Sequence, residues 1–133
     1  MTSYEWESAA FDGWTPAQAD SAMRWVLRAM YEAQKELRKR RDAEIDAKHT
    51  FESAKRSAFF SPDCPKPERG GYTVADREAF IERECAEARR VFELATAARE
   101  AAQDALRVLD KQSVVLASLN KNAQQAFNLA GAH

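Results

Sequence analysis

The chain has 133 residues, with 20 basic and 21 acidic side chains and a net charge of −1. One domain is the expectation at this length, and the near-neutral balance excludes a global field that would draw the molecule to nucleic acid or to a membrane surface. Gly and Pro number only four each, while Ala, Glu, Lys, Leu and Arg dominate, so the composition is that of an all-α protein built from long helices.

Residues 1–14 read as a short helix or arm. Thr2 with Glu5 forms a capping box, Asp12-Gly13 supplies a stop, and Tyr4, Trp6, Phe11 and Trp14 make the segment aromatic. Residues 15–59 follow as a helix. Thr15-Pro16-Ala17-Gln18 provides a cap hydroxyl, a Pro at the first helical position and a reciprocal Gln. Along this helix Met23, Met30, Leu37, Glu44, Phe51 and Ala58 recur every seven residues, accompanied by Val26, Ala33, Arg40, Ala47 and Ala54. Residues 60–73 hold Pro62, Pro65, Pro67, Gly70 and Gly71 and cannot continue a helix. Thr73 with Asp76 then caps a second long helix, 74–130. Stepping by seven from Val74 meets Ile81, Ala88, Ala95, Ala102, Leu109, Leu116, Ala123 and Ala130, apolar at every stop, which predicts one continuous helix with a covered stripe.

Two long helices joined by one turn form an antiparallel hairpin, a coiled-coil-like single domain over 1–133. Residues near 59 would face those near 74, so partner numbers should add to about 133, with Arg40 near Glu93 and Glu44 near Arg89. The expectation is a polar, ion-paired layer at mid-hairpin that sets register. The seam itself is rich in small residues, with Ala88, Ala95, Ala98, Ala102 and Ala105 on the inner face. Alanine buries little area, so a lone hairpin with this seam is thinly stabilised. Apolar residues off the stripe, among them Val91, Leu94, Val108, Val114, Val115, Leu119 and Phe127, require a second partner. The expectation is a dimeric or higher helical bundle. The second helix outruns the first by about 13 residues, and the aromatic arm is of a length to pack on Leu119, Ala123 and Phe127. The alternative is that arm or overhang docks another protein.

Candidate chemistry is sparse. Lys35, Arg38, Lys39, Arg40 and Arg41 form the basic cluster, and four consecutive bases fan around most of a helix. They read as a solvated face with intrahelical pairs, as a phosphate-contacting belt, or as a contact for an acidic partner. Glu78, Glu82, Glu84 and Glu87 lack the Glu-x-x-His spacing of helical-bundle metal sites, and Cys64 lacks a second cysteine at ligand spacing. Cys85 reads as a small buried hydrophobe. No Gly-rich phosphate loop or nucleophile elbow is present. The expectation is therefore no enzyme activity, no cofactor and no metal. No apolar run reaches the ~18 residues of a membrane span, and the first residues lack the basic-then-apolar pattern of a signal peptide, so none is expected. The two cysteines at unrelated spacing point to a reducing compartment, so a cytoplasmic protein is expected.

Three stretches carry a resemblance: the cap Gly70-Gly71-Tyr72-Thr73-Val74-Ala75-Asp76-Arg77-Glu78, the Ala/Glu/Arg-rich helix, and the ending Ser113-Val114-Val115-Leu116-Ala117-Ser118-Leu119-Asn120. Together they look like a loose class of small helical proteins of tailed phages. Those have a Thr-Val-Ala-(Asp/Glu)-Arg cap and a Leu-Ser-x-Leu-Gln-Ser-like ending, and are often encoded beside recombination genes. Here Asn120 and Lys121 stand where Gln-Ser would be expected. The resemblance covers about residues 20–125 and implies an accessory role around phage DNA metabolism, in the host cytoplasm; it carries over no functional residue. Two readings follow. One is a protein-interaction or assembly module using the overhang, the aromatic arm or the Pro-rich turn. The other is a single-stranded nucleic-acid-binding accessory factor using the 35–41 belt.

Overall fold

The structure is a computed structural model that describes residues 15–131. Among these residues it holds three helices and no strand: α1 (Pro16–Phe59), α2 (Val74–Glu84) and α3 (Ala86–Gly131). The chain divides into two compact units, one built from residues 15–37 and 102–131 of those described, the other from 38–101. Tyr4, Trp6, Phe11 and Trp14 lie outside the described residues.

In the first unit α1 begins where its local chemistry directs. The Thr15 amide donates to Gln18 Oε1 at 3.0 Å and the Gln18 amide donates to Thr15 Oγ1 at 3.2 Å, which satisfies two helix-start donors reciprocally. Pro16 occupies the first helical position, where its missing amide costs nothing. The packed face of α1 is made by Ala19, Ala22, Val26 and Ala29, each at most 3% exposed and spaced three or four residues apart on one side of the helix. Ala22 and Val26 pack with Leu116 of α3, which is fully buried, and Met23, Trp25, Met30 and Leu119 close around them. Thr15 and Pro16 share a cleft with Phe127 and Asn128. The start of α1 therefore lies beside the last turns of α3, and the long overhang expected for the second helix is reduced to a few residues.

In the second unit α1 and α3 pair by residues that correct the expected register. Glu44 meets Arg99 at 3.2 Å, and the rings of Phe51 and Phe92 lie 6.0 Å apart. The partner of Glu44 is thus about ten residues further along than Arg89, nearly three turns. The cause is local to the turn. Residues 74–84, counted above as the paired start of one long helix, form the separate α2. Its Phe80 joins Ala58, Cys64 and Cys85 in a small apolar cluster, with Phe51, Ala54 and Ile81 against it.

The second correction is the break itself. Cys85, at φ −99° and ψ 4°, ends α2, although its amide still reaches the Ile81 carbonyl at 3.0 Å and the Arg89 amide reaches its own carbonyl at 2.9 Å. No Pro or Gly sits there. Cys85 is only 2% exposed, and packing of Phe80 and Cys85 against the turn outweighs the helix propensity of the flanking Glu and Ala residues. Arg89 spans the interruption, donating to Glu82 at 2.7 Å. That hydrogen bond and the Glu82 charge raise the Arg89 pKa above its ordinary value.

The turn preceding α2 is ordered by short contacts. Gly70 takes a left-handed φ of 79°, the conformation in which a side chain is strained, while the Glu68 amide donates to the Tyr72 carbonyl at 3.0 Å. Thr73 then caps α2: its amide donates to Asp76 Oδ2 at 2.8 Å and the Asp76 amide donates to Thr73 Oγ1 at 3.2 Å.

Candidate interaction site

Large apolar side chains stand mostly outside each unit. Half of the buried apolar residues described are alanine, and Leu116, Val26 and Cys85 are the largest that are fully buried. In the first unit Leu27, Tyr31, Val108, Val114, Val115, Phe127 and Leu129 are exposed; in the second, Ile45, Phe59, Phe60, Tyr72, Val74, Val91 and Leu94 are. Scattered exposed hydrophobics are ordinary, but rows of them are not.

On α3 they form rows. The seven-residue step that begins at Ile81 faces α1. Ile81, Ala88 and Ala95 in the second unit are half-buried, as are Ala102 and Leu109 in the first, while Leu116 and Ala123 are buried. Alongside runs another step, one position before those. In the second unit it holds Phe80, which is buried, and Glu87, Leu94 and Ala101, which are exposed; in the first it holds Val108, Val115, Asn122 and Leu129, all exposed. Within the first unit Asn122 is the polar member of an otherwise apolar row. Sequence reading found Leu94, Val108 and Val115 as apolar and off the main stripe; their shared seven-residue period was the signal that identifies a second seam.

The basic cluster is placed on the outside of α1. Lys35, in the first unit, is exposed; its Nζ lies 3.9 Å from Glu32 and 5.5 Å from the Tyr31 ring centre. In the second unit Arg38, Lys39, Arg40 and Arg41 are exposed, and being consecutive they point in different directions around the helix. A straighter row of cations is Arg41, Lys48 and Lys55, seven residues apart and all exposed, about 10.5 Å from one to the next. Lys55 Nζ lies 4.6 Å from the Phe51 ring centre.

The cysteines come together in the second unit's apolar cluster. Both are free thiols, with Cys64 6% and Cys85 2% exposed. A cleft of about 300 Å³ opens beside Cys85, lined by Phe51, Lys55, Glu78, Ile81, Glu82 and Arg89; the Arg89–Glu82 bridge occupies its polar side. Glu87, the neighbouring acid on α3, lies 3.6 Å from Arg90. Among the described residues no group of three His, Cys, Asp or Glu side chains is arranged to hold a metal ion, and no helix is long and apolar enough to cross a membrane.

No protein-family model, curated protein or solved structure matches this chain.

Proposed function

We propose that the chain is a self-associating helical hairpin that works by non-covalent assembly, as a protein-interaction module rather than a catalyst. One observation carries this reading: on α3 the residues Val108, Val115 and Leu129 are exposed on a single seven-residue step beside the step that already packs on α1. An alanine-rich interior stabilises little per residue, so a fold with this distribution gains most by covering the outer row. A dimeric or larger bundle of coiled-coil-like hairpins does that. The resemblance to small tailed-phage proteins supports an accessory setting in host cytoplasm. Light scattering on the full chain tests the reading: a mass of two or more chains supports it, and a mass of 15.0 kDa at every concentration overturns it.

The second reading is a single-stranded nucleic-acid-binding accessory factor, favoured by the exposed row Arg41, Lys48 and Lys55 together with Arg38 and Lys39. Its test is oligonucleotide anisotropy at about 50 and 200 mM salt, where several phosphate contacts produce a steep loss of affinity. Arg38, Arg40 and Arg41 changed together to Ala should weaken binding and flatten that dependence. Absence of binding at the lower salt excludes this reading and returns the cluster to a solvated face.

A further inference from the structure

The outer row on α3 is one half of a complete seam. In the first unit Ala105, Val108, Gln112, Val115, Leu119, Asn122, Ala126 and Leu129 alternate three and four residues apart, the spacing of positions that interlock with a facing helix. Gln112 is half-buried, Leu119 is half-buried because its inner side already packs beside Ala22, Val26 and Leu116, and the other six are exposed, Ala105 among them and not on the inner face where the seven-residue pattern put it. α1 covers the neighbouring seam through Leu116, so α3 carries two seams and this unit closes one.

We propose that the second seam is closed by the same seam of a second copy of the chain, running antiparallel about a two-fold axis beside Ala117. This rests on the self-association reading above and assigns it a surface and a register. Two features point to a second copy. The seam is self-complementary in polarity: about that axis Gln112 of each chain faces Asn122 of the other, so its two amides meet each other and the six apolar residues meet only apolar ones. It is also self-complementary in size. The small Ala105 and Ala126 face the larger Leu129 and Val108 of the other copy, and Val115 faces Leu119 next to the axis. Sliding one copy by a heptad in either direction would set both amides against apolar side chains, which is costly for a buried amide. A parallel pairing would set Ala105 on Ala105 and Ala126 on Ala126, leaving gaps that lose contact area. Polar residues inside a seam fix register in this way. A two-fold contact also satisfies both copies at once and ends there, without growth into filaments.

The test is sedimentation velocity on the full chain and four variants, with circular dichroism to confirm helicity. Val115→Glu places a charge in the seam at a position 45% exposed in the single chain, and should leave monomer with helix content retained. Gln112→Leu and Asn122→Leu each leave two amides facing leucine and should weaken association about tenfold. The double variant Gln112→Leu/Asn122→Leu replaces both partners by apolar groups and should recover wild-type association or better, which loss of local structure cannot mimic. Wild-type association that is unchanged in Val115→Glu overturns this seam while leaving the self-association reading standing. Single amide variants that associate as the wild type does, or a double variant weaker than either single, overturn the antiparallel register. A wild-type chain that remains at 15.0 kDa overturns seam and self-association together.

Discussion

Arg99 Nε lies 3.2 and 3.3 Å from the two carboxylate oxygens of Glu44, joining α3 to α1 inside the second unit with both side chains no more than 25% exposed. The pair is largely shielded from water, so each partner loses an interaction when the other is removed, although Arg99 Nη2 also lies 3.9 Å from Glu100. It also fixes which turn of α3 faces which turn of α1. Glu44→Ala and Arg99→Ala should therefore be non-additive, with a coupling of about 1 kcal/mol in thermal or urea unfolding. Glu44→Ala and Arg89→Ala should add, since Arg89 is engaged with Glu82. Coupling to Arg89 in place of Arg99 would contradict the register.

The start of α2 should be acid-sensitive. Asp76 accepts the Thr73 amide and hydroxyl at 2.8 and 3.0 Å, and the amide contact first, then the hydroxyl, lowers its pKa below the ordinary 3.8. A carboxyl whose folded value is depressed contributes stability that is complete above its unfolded value and disappears as the pH falls through the folded one. Protection of the Thr73, Asp76 and Arg77 amides, measured against intrinsic exchange at the same pH, should accordingly fall below pH 3.8 in the wild type. Asp76→Asn, which has no such titration, should lack this acid step; a step of equal size in that variant would refute the assignment.

Burial separates neighbouring residues of α3 sharply. Leu116 is 0% exposed and Val114 is 64% exposed. Leu116→Ala should cost about 2–5 kcal/mol, since it opens a cavity against Val26 and Ala22. Val114→Ser should change stability by less than about 0.5 kcal/mol. Urea denaturation of the two variants measures both.

Cys64 and Cys85 share one buried cluster, so their thiols should react with an aromatic disulfide reagent only as fast as the second unit opens. Addition of denaturant should then accelerate labelling greatly. Labelling of both thiols at the rate of an exposed cysteine under native conditions would contradict their placement.

Features that depend on near neighbours in the chain could be read from the sequence. The Thr15–Gln18 and Thr73–Asp76 boxes are contacts over three residues, and both carry cap signatures. The interruption at Cys85 was hidden because no Pro or Gly marks it; Phe80 and Cys85 pack there with Cys64 of the preceding turn. The register is displaced for the same reason, since Phe80 and Ile81 pack around the turn and the end of α1, with Ala54, Ala58 and Cys64, and the Glu44–Arg99 pairing begins further along. Ala19, Ala22 and Ala29 escaped notice as core because alanine is as common on exposed helix faces as on buried ones. The outer seam was visible only as surplus apolar residues until burial separated Val115 from Leu116. Its two amides, Gln112 and Asn122, gave no signal at all, because polar residues on a helix read as solvated until a facing partner is considered.

Thermal unfolding at a series of protein concentrations decides whether the outer seam of α3 is covered. If a second copy covers it, folding is coupled to association and the midpoint rises steadily as the full chain is concentrated from low to high micromolar. A midpoint that stays fixed across that range, together with a mass of 15.0 kDa, would show that the chain stands alone with the outer row of α3 in water.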